Sequence, residues 1–314
     1  MPLHPQLLAM REQRRRDGTR PLYEQSLAEA RAADLAAIKA DRGAPYPVGE
    51  VVDLRVAGRL DARLYRPTGA GTKPVLVYFF GGGWVLGSLE TSDGICRRLC
   101  ADADCVVLSV AYRLAPEHPF PAAPLDCYAA VRWAASHVDG FGGDPARISV
   151  AGDSAGGNLA AAVTLQARAG GPALASQVLV YPNVEYGADT PSMRDNTDPS
   201  FFNRTSVGWY WGHYLARPED GADPLASPLR AGDLSGLPPA LIITAEYDPL
   251  RDEGERYADR LRAAGVPVEL ERYDGMTHGF FTMTGALVEA RTATARVAEY
   301  LRKSWARAVK QYRP

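Results

Sequence analysis

The chain has 314 residues, of which 46% are hydrophobic and 23% charged, with a formal net charge of -2. That is the balance of an ordinary globular protein able to bury a sizeable core, and it disfavours a nucleic-acid binder. The most basic run, Arg11 to Arg20, has five arginines but also Glu12 and Asp17, and reads as a solvated helix face. No stretch approaches the ~18 apolar residues of a membrane span. Met1 to Arg20 has neither the apolar region nor the cleavage site of a signal peptide, so the expectation is a cytoplasmic protein without membrane partners.

Residues 1–48 read as a helical N-terminal arm. Leu22, Leu27, Ala30, Ala33, Leu35 and Ile38 recur at roughly helical spacing until Gly43, Pro45 and Pro47 end the pattern. Val51 to Val56 and Ala62 to Tyr65 read as a strand pair, and the unbroken apolar run Val75 to Phe79 suits a strand buried on both faces. Strands at 105–110, 148–151, 178–181, 240–245 and 268–273 then alternate with helices at 93–101, 124–137, 155–168, 252–264 and 286–308. Such alternation predicts right-handed crossovers, a mainly parallel sheet and ligand binding at the carboxyl ends of its strands.

The rhythm breaks between Tyr181 and Leu237, where no convincing strand occurs and aromatics gather: Phe201, Phe202, Trp209, Tyr210, Trp211 and Tyr214. So long a segment without sheet structure is usually a functional insertion. With the N-terminal arm it is read as a cap, leaving 49–184 and 219–314 as the core and 185–218 as the cap insertion. A plain surface insertion packed on its own small core is the alternative.

Gly152-Asp153-Ser154-Ala155-Gly156 lies where a strand gives way to an Ala-rich helix, a tight turn that thrusts Ser154 outward. A serine hydroxyl needs a general base held in one tautomer by a carboxylate. Of the five histidines, His4 lies in a tail, His118 in a Pro-rich loop, His137 at a helix end and His213 in the insertion. His278 alone follows a strand end directly. The orienting acid is expected just past the run Leu241 to Ala245. Asp248 is favoured there, Glu246 is a rival, and Asp252 reads as the N-cap of the next helix.

Phe80-Gly81-Gly82-Gly83-Trp84 follows the strand ending at Phe79, and three glycines let backbone N–H groups converge on one point. A phosphate loop would need a following Lys-Ser/Thr, which is missing. Gly82, Gly83 and Ala155 are the expected oxyanion donors. Phe80, Trp84, Asp153, Tyr186, Trp209, Trp211 and Tyr214 are candidates for shaping the substrate pocket. Trp84 could equally be plain core packing, and Asp153 could orient the serine turn. Cys96, Cys100, Cys105 and Cys127 read as buried free thiols, since no histidine completes a zinc-like spacing, so no metal site is expected.

Jointly, Phe80 to Trp84, Tyr112 to Ala123, Gly152 to Asn158, Asp248 to Asp252 and His278-Gly279-Phe280 resemble the hormone-sensitive-lipase-like (bacterial family IV) esterases of the α/β-hydrolase fold. The order Ser154, Asp248, His278 is also the nucleophile, acid, base order of that fold. The resemblance implies a mostly parallel eight-stranded sheet flanked by helices, a helical cap, cofactor-free hydrolysis of short- to medium-chain carboxylic esters, and homodimerisation through the edge strand near Val268 and the C-terminal helix. One departure stands out. The family usually begins its glycine motif with His, whose ring shapes the loop, and Phe80 cannot make those hydrogen bonds. Two other readings share the fold: an amide or N-acetyl hydrolase on the same triad, and a non-catalytic ligand receptor, against which the presence of His278 counts.

Overall fold

The computed structural model describes residues 2–311, with side chains described to residue 308. Its eight strands are β1 (Glu50–Val56), β2 (Leu60–Arg66), β3 (Lys73–Phe79), β4 (Val106–Val110), β5 (Gly143–Asp153), β6 (Ser176–Val180), β7 (Ala240–Tyr247) and β8 (Val268–Thr277). They form one sheet in the order β1-β2-β4-β3-β5-β6-β7-β8. The pairings of β1 with β2 and of β2 with β4 are antiparallel, and all others are parallel. Both expectations, an eight-stranded sheet and its mainly parallel character, agree with this.

The helices are α1 (Pro5–Arg16), α2 (Leu27–Asp41), α3 (Leu89–Ala103), α4 (Ala122–Ser136), α5 (Ala155–Arg168), α6 (Pro191–Asp195), α7 (Arg204–Tyr214), α8 (Arg251–Ala263) and α9 (Val288–Gln311). Residues 75–79 of β3 and all of β4 are buried, which is why those segments read as unbroken apolar runs rather than alternating ones. Three of the strands that outlast their predicted ends carry site residues: β5 extends to Asp153, β7 to Tyr247 and β8 to Thr277, delivering Ser154, Asp248 and His278 one residue beyond each.

Asp252 departs from its expected role. The N-cap position of α8 is Leu250, and Asp252 lies inside the first turn, where its Oδ2 accepts the Ser192 N–H at 2.8 Å. The carboxylate is drawn to a donor from α6, a tertiary partner that helix-capping rules do not include.

The first two helices and the insertion converge over the carboxyl ends of the central strands. Arg14 of α1, Ala33, Asp34 and Ile38 of α2, and Tyr210 of α7 share one cavity with the loop after β3 and with Ser154. Arg31 fixes the seat of α2: its guanidinium donates to the carbonyls of Val85 (2.9 Å) and Ala115 (3.1 Å) and forks onto Glu117 with two 2.7 Å bonds. No helix among the described residues is long and apolar enough to cross a membrane.

Candidate active site

Ser154 stands between β5 and α5 with φ 56° and ψ -119°, a left-handed backbone that a residue with a Cβ adopts only under strain. The surrounding chain enforces it. The Ser154 N–H donates to Val180 O at 2.8 Å, and a Cβ at Gly156 would overlap the carbonyl oxygen of Phe79. Glycine at 156 is therefore what lets α5 start this close to β3. The serine is nearly buried yet lines the cavity.

β7 and β8 lie two and three strands away from β5, and their loops reach back to it. His278 Nδ1 is 2.7 Å from Asp248 Oδ2, and Nε2 is 2.9 Å from Ser154 Oγ. A carboxylate can only accept, so Nδ1 carries the proton and Nε2 is left to accept from the serine hydroxyl. Asp248 is fully buried, and its other oxygen accepts the Leu250 N–H at 2.8 Å. Glu246, the rival acid, accepts the Gly275 N–H at 2.7 Å instead, tying the end of β7 to β8. Two residues unforeseen as site groups flank the imidazole: Phe202 stacks on it at 4.1 Å between ring centroids, and Tyr181 tilts against it at 4.5 Å.

The glycine loop after β3 adjoins this triad because β3 pairs directly with β5. Gly82 O accepts the N–H groups of Val85 and Leu86, which folds the loop into a turn. Among the described residues, the N–H groups of Gly82, Gly83 and Ala155 donate to no protein acceptor. Gly83 has φ 61°, and its Cα face is covered so closely by the Tyr210 ring that a Cβ would overlap it.

Phe80 keeps the loop in place without an imidazole. Its ring stacks on Tyr112 at 4.5 Å, and the Tyr112 hydroxyl donates to Phe80 O at 2.7 Å. The next residue is held from the other side, since Asp153 Oδ1 accepts the Gly81 N–H at 3.1 Å and the Tyr78 hydroxyl at 2.6 Å. Burial pushes the Asp153 carboxyl up from its ordinary value, against the pull of the Tyr78 hydrogen bond.

Of the seven proposed pocket residues, Phe80, Asp153 and Trp209 line the cavity. Trp84, Tyr186, Trp211 and Tyr214 do not, and this corrects the sequence reading. Trp84 stacks on Tyr214 at 4.1 Å with planes 4° apart and touches Trp211 at 4.6 Å, while Tyr186 meets Trp211 edge-on at 5.3 Å. Trp211 and Tyr214 are three apart on α7 and share the face turned into this aromatic core. The sequence shows that α7 is rich in aromatics but not which face looks inward. Of the charged cavity residues it missed, Arg14, Arg20, Asp34 and Asp41, Asp34 alone has no hydrogen bond or ion pair to its side chain among the described residues and no opposite charge beside it. One signal was available: Ala30, Ala33, Ala37 and Ile38 form the apolar stripe of α2, and Asp34 lies within it.

All four cysteines are buried and unpaired. Among the described residues no group of three or more His, Cys, Asp or Glu side chains could hold a metal ion.

Comparison with known proteins adds the family. Residues 76–282 match a family described by its alpha/beta hydrolase fold. The chain belongs to this family, in its hormone-sensitive-lipase-like branch of carboxylic ester hydrolases. It is 50% identical over 244 residues to the carboxylic ester hydrolase LipN of Mycobacterium tuberculosis, a match covering 74% of this chain and 65% of LipN. The esterase LipI of the same organism is 44% identical over 263 residues, covering 80% of this chain and 81% of LipI. Among solved structures, a hyperthermophilic esterase from the archaeon Pyrobaculum calidifontis superposes with a TM-score of 0.92 at 41% identity, over 96% of this chain and 99% of that one.

Proposed function

We propose that the protein hydrolyses short- to medium-chain carboxylic esters through an acyl-enzyme on Ser154. The hydrogen-bond chain from Asp248 through His278 to Ser154 Oγ carries this reading. His278 Nε2 takes the hydroxyl proton as Oγ attacks the ester carbonyl, and Asp248 stabilises the imidazolium that results. The carbonyl oxygen gains negative charge and is met by the unoccupied N–H groups of Gly82, Gly83 and Ala155. The imidazolium then protonates the leaving alcohol. Water, activated by His278 in turn, attacks the acyl carbon and frees Ser154.

The size of the cavity, about 330 Å³, supports short and medium acyl chains over long ones. Residues 1–48 and 185–218 act as the cap over the core formed by 49–184 and 219–314. β8 closes one edge of the sheet, the edge at which a homodimer would form.

A series of p-nitrophenyl esters of increasing acyl length, run beside acetanilide, tests the substrate class. The rate should peak at short or medium chains with little amide turnover. Ser154→Ala should lower ester hydrolysis by about 10⁴ to 10⁶-fold. Wild-type turnover by that variant would sink the assignment.

A further inference from the structure

We infer that Asp34 is a specificity-determining residue that selects esters carrying a positively charged amine or quaternary ammonium group. This rests on the esterase reading above and adds a substrate class to it.

The first support is placement. Asp34 projects from the apolar stripe of α2 into the cavity that holds Ser154 and His278. It is not there by looseness, because Arg31, less than one turn earlier, pins α2 to Val85, Ala115 and Glu117. Among the described residues no hydrogen bond or ion pair engages the Asp34 carboxyl. A carboxyl turned into a mostly apolar cavity without a partner costs stability, which is tolerated where a ligand completes it.

The second support is the charge balance around the cavity. Arg14 of α1 donates to Ser200 O at 2.6 Å, and its guanidinium and the Asp41 carboxyl attract one another. Arg20 lies 3.6 Å from Glu29 and is more than half exposed. His278 is engaged by Asp248. The Tyr210 hydroxyl of α7 is held neutral, its pKa raised by burial and by Asp34. Each cation therefore has its own counter-charge, and the carboxyl that faces the cavity with no hydrogen-bond or ion-pair partner among the described residues is Asp34. Burial, reinforced by Asp153, pushes the Asp34 carboxyl up to about 7. A substrate cation beside it would favour the ionised form and complete the pair.

Two isosteric ester pairs test this, one for each side of the scissile bond. On the alcohol side, butyrylcholine is compared with 3,3-dimethylbutyl butyrate. On the acyl side, the p-nitrophenyl ester of 4-(trimethylammonio)butyrate is compared with that of 5,5-dimethylhexanoate, each corrected for spontaneous hydrolysis. In at least one pair the cationic ester should have a kcat/KM about tenfold or more above its neutral partner at pH 8, roughly the contribution of one close charge pair in a shielded site. The ratio should fall as pH is lowered through about 7, where Asp34 takes up its proton. Any pH dependence of the catalytic step itself is common to both members of a pair and cancels. In Asp34→Asn the ratio should collapse toward one.

The wild-type ratio and its pH dependence stand without any variant. Ratios at or below one for both pairs, or a preference that survives Asp34→Asn, overturn the inference while leaving ester hydrolysis intact. Failure to hydrolyse any ester, p-nitrophenyl acetate included, overturns the esterase reading and this inference with it.

Discussion

Phe202 lies nearly flat against the imidazole of His278, the ring centroids 4.1 Å apart and the planes 24° apart. The phenyl ring comes from the insertion after β6 and the imidazole from the loop after β8. The insertion therefore holds the imidazole in the orientation that its hydrogen bonds to Asp248 and Ser154 require. An aromatic contact of this kind contributes about 0.5–1.5 kcal/mol. Phe202→Ala should lower kcat/KM on p-nitrophenyl acetate by up to about tenfold. Phe202→Trp or Phe202→Tyr, which keep a stacking face, should recover most of the rate.

Asp248 and Glu246 lie two residues apart at the end of β7 but hold different partners. Asp248→Asn removes the carboxylate bonded to His278 Nδ1 and allows the wrong tautomer, so kcat should drop by about 10⁴-fold. Glu246→Gln keeps an oxygen for the Gly275 N–H and should stay within about twofold of wild type. Steady-state kinetics of the two variants side by side decide the assignment. Comparable losses in both would contradict it.

Asp153 ties the glycine loop to β3 through Gly81 and Tyr78. Asp153→Ala frees the loop that carries Gly82 and Gly83, and kcat should fall by about 10- to 100-fold with KM changed far less. This loss is smaller than that for deleting an oxyanion donor outright, because the proposed donors, the N–H groups of Gly82 and Gly83, themselves remain. The same carboxyl holds its proton more tightly when folded than when unfolded. Its contribution to stability is therefore fully present below the ordinary carboxylate range and is lost as pH rises through its folded value. The melting temperature of Asp153→Asn, measured against wild type from pH 4 to pH 8, should improve as pH rises above the ordinary carboxylate range and then level off. A constant difference across that range would refute the linkage.

The cysteines should be chemically silent. Burial pushes the Cys100 thiol up to about 12 and raises Cys96, Cys105 and Cys127 as well, which leaves almost no thiolate at neutral pH. Iodoacetamide at pH 7.5 should leave the native enzyme fully active and its mass unchanged, whereas four alkylations should follow denaturation. Rapid labelling of the native protein would show that one of these thiols is reachable.

What the amino-acid order determined by itself was whatever depends on neighbours in the chain. Continuous apolar runs marked the strands buried on both faces. The helix from Ala155 to Arg168 was legible to the residue, because a glycine-flanked turn opens it and its composition is strongly helical. Ser154, Asp248 and His278 could be picked out singly because each follows a strand end. That the three touch is a property of the sheet order, in which β5, β7 and β8 run parallel in one sheet. Glu246 remained a rival to Asp248 before then, since two residues along a strand end differ mainly in the direction in which they point. The aromatics of α7 were visible as a cluster, but the rotation of that helix decided that Tyr210 meets the cavity while Trp211 and Tyr214 pack against Trp84. Asp34 was the least legible of all. A carboxylate inside an apolar stripe acquires meaning only when the surface facing that stripe is known, and that surface joins the glycine loop after β3 to Asp153, Tyr210 and His278, residues more than a hundred positions away.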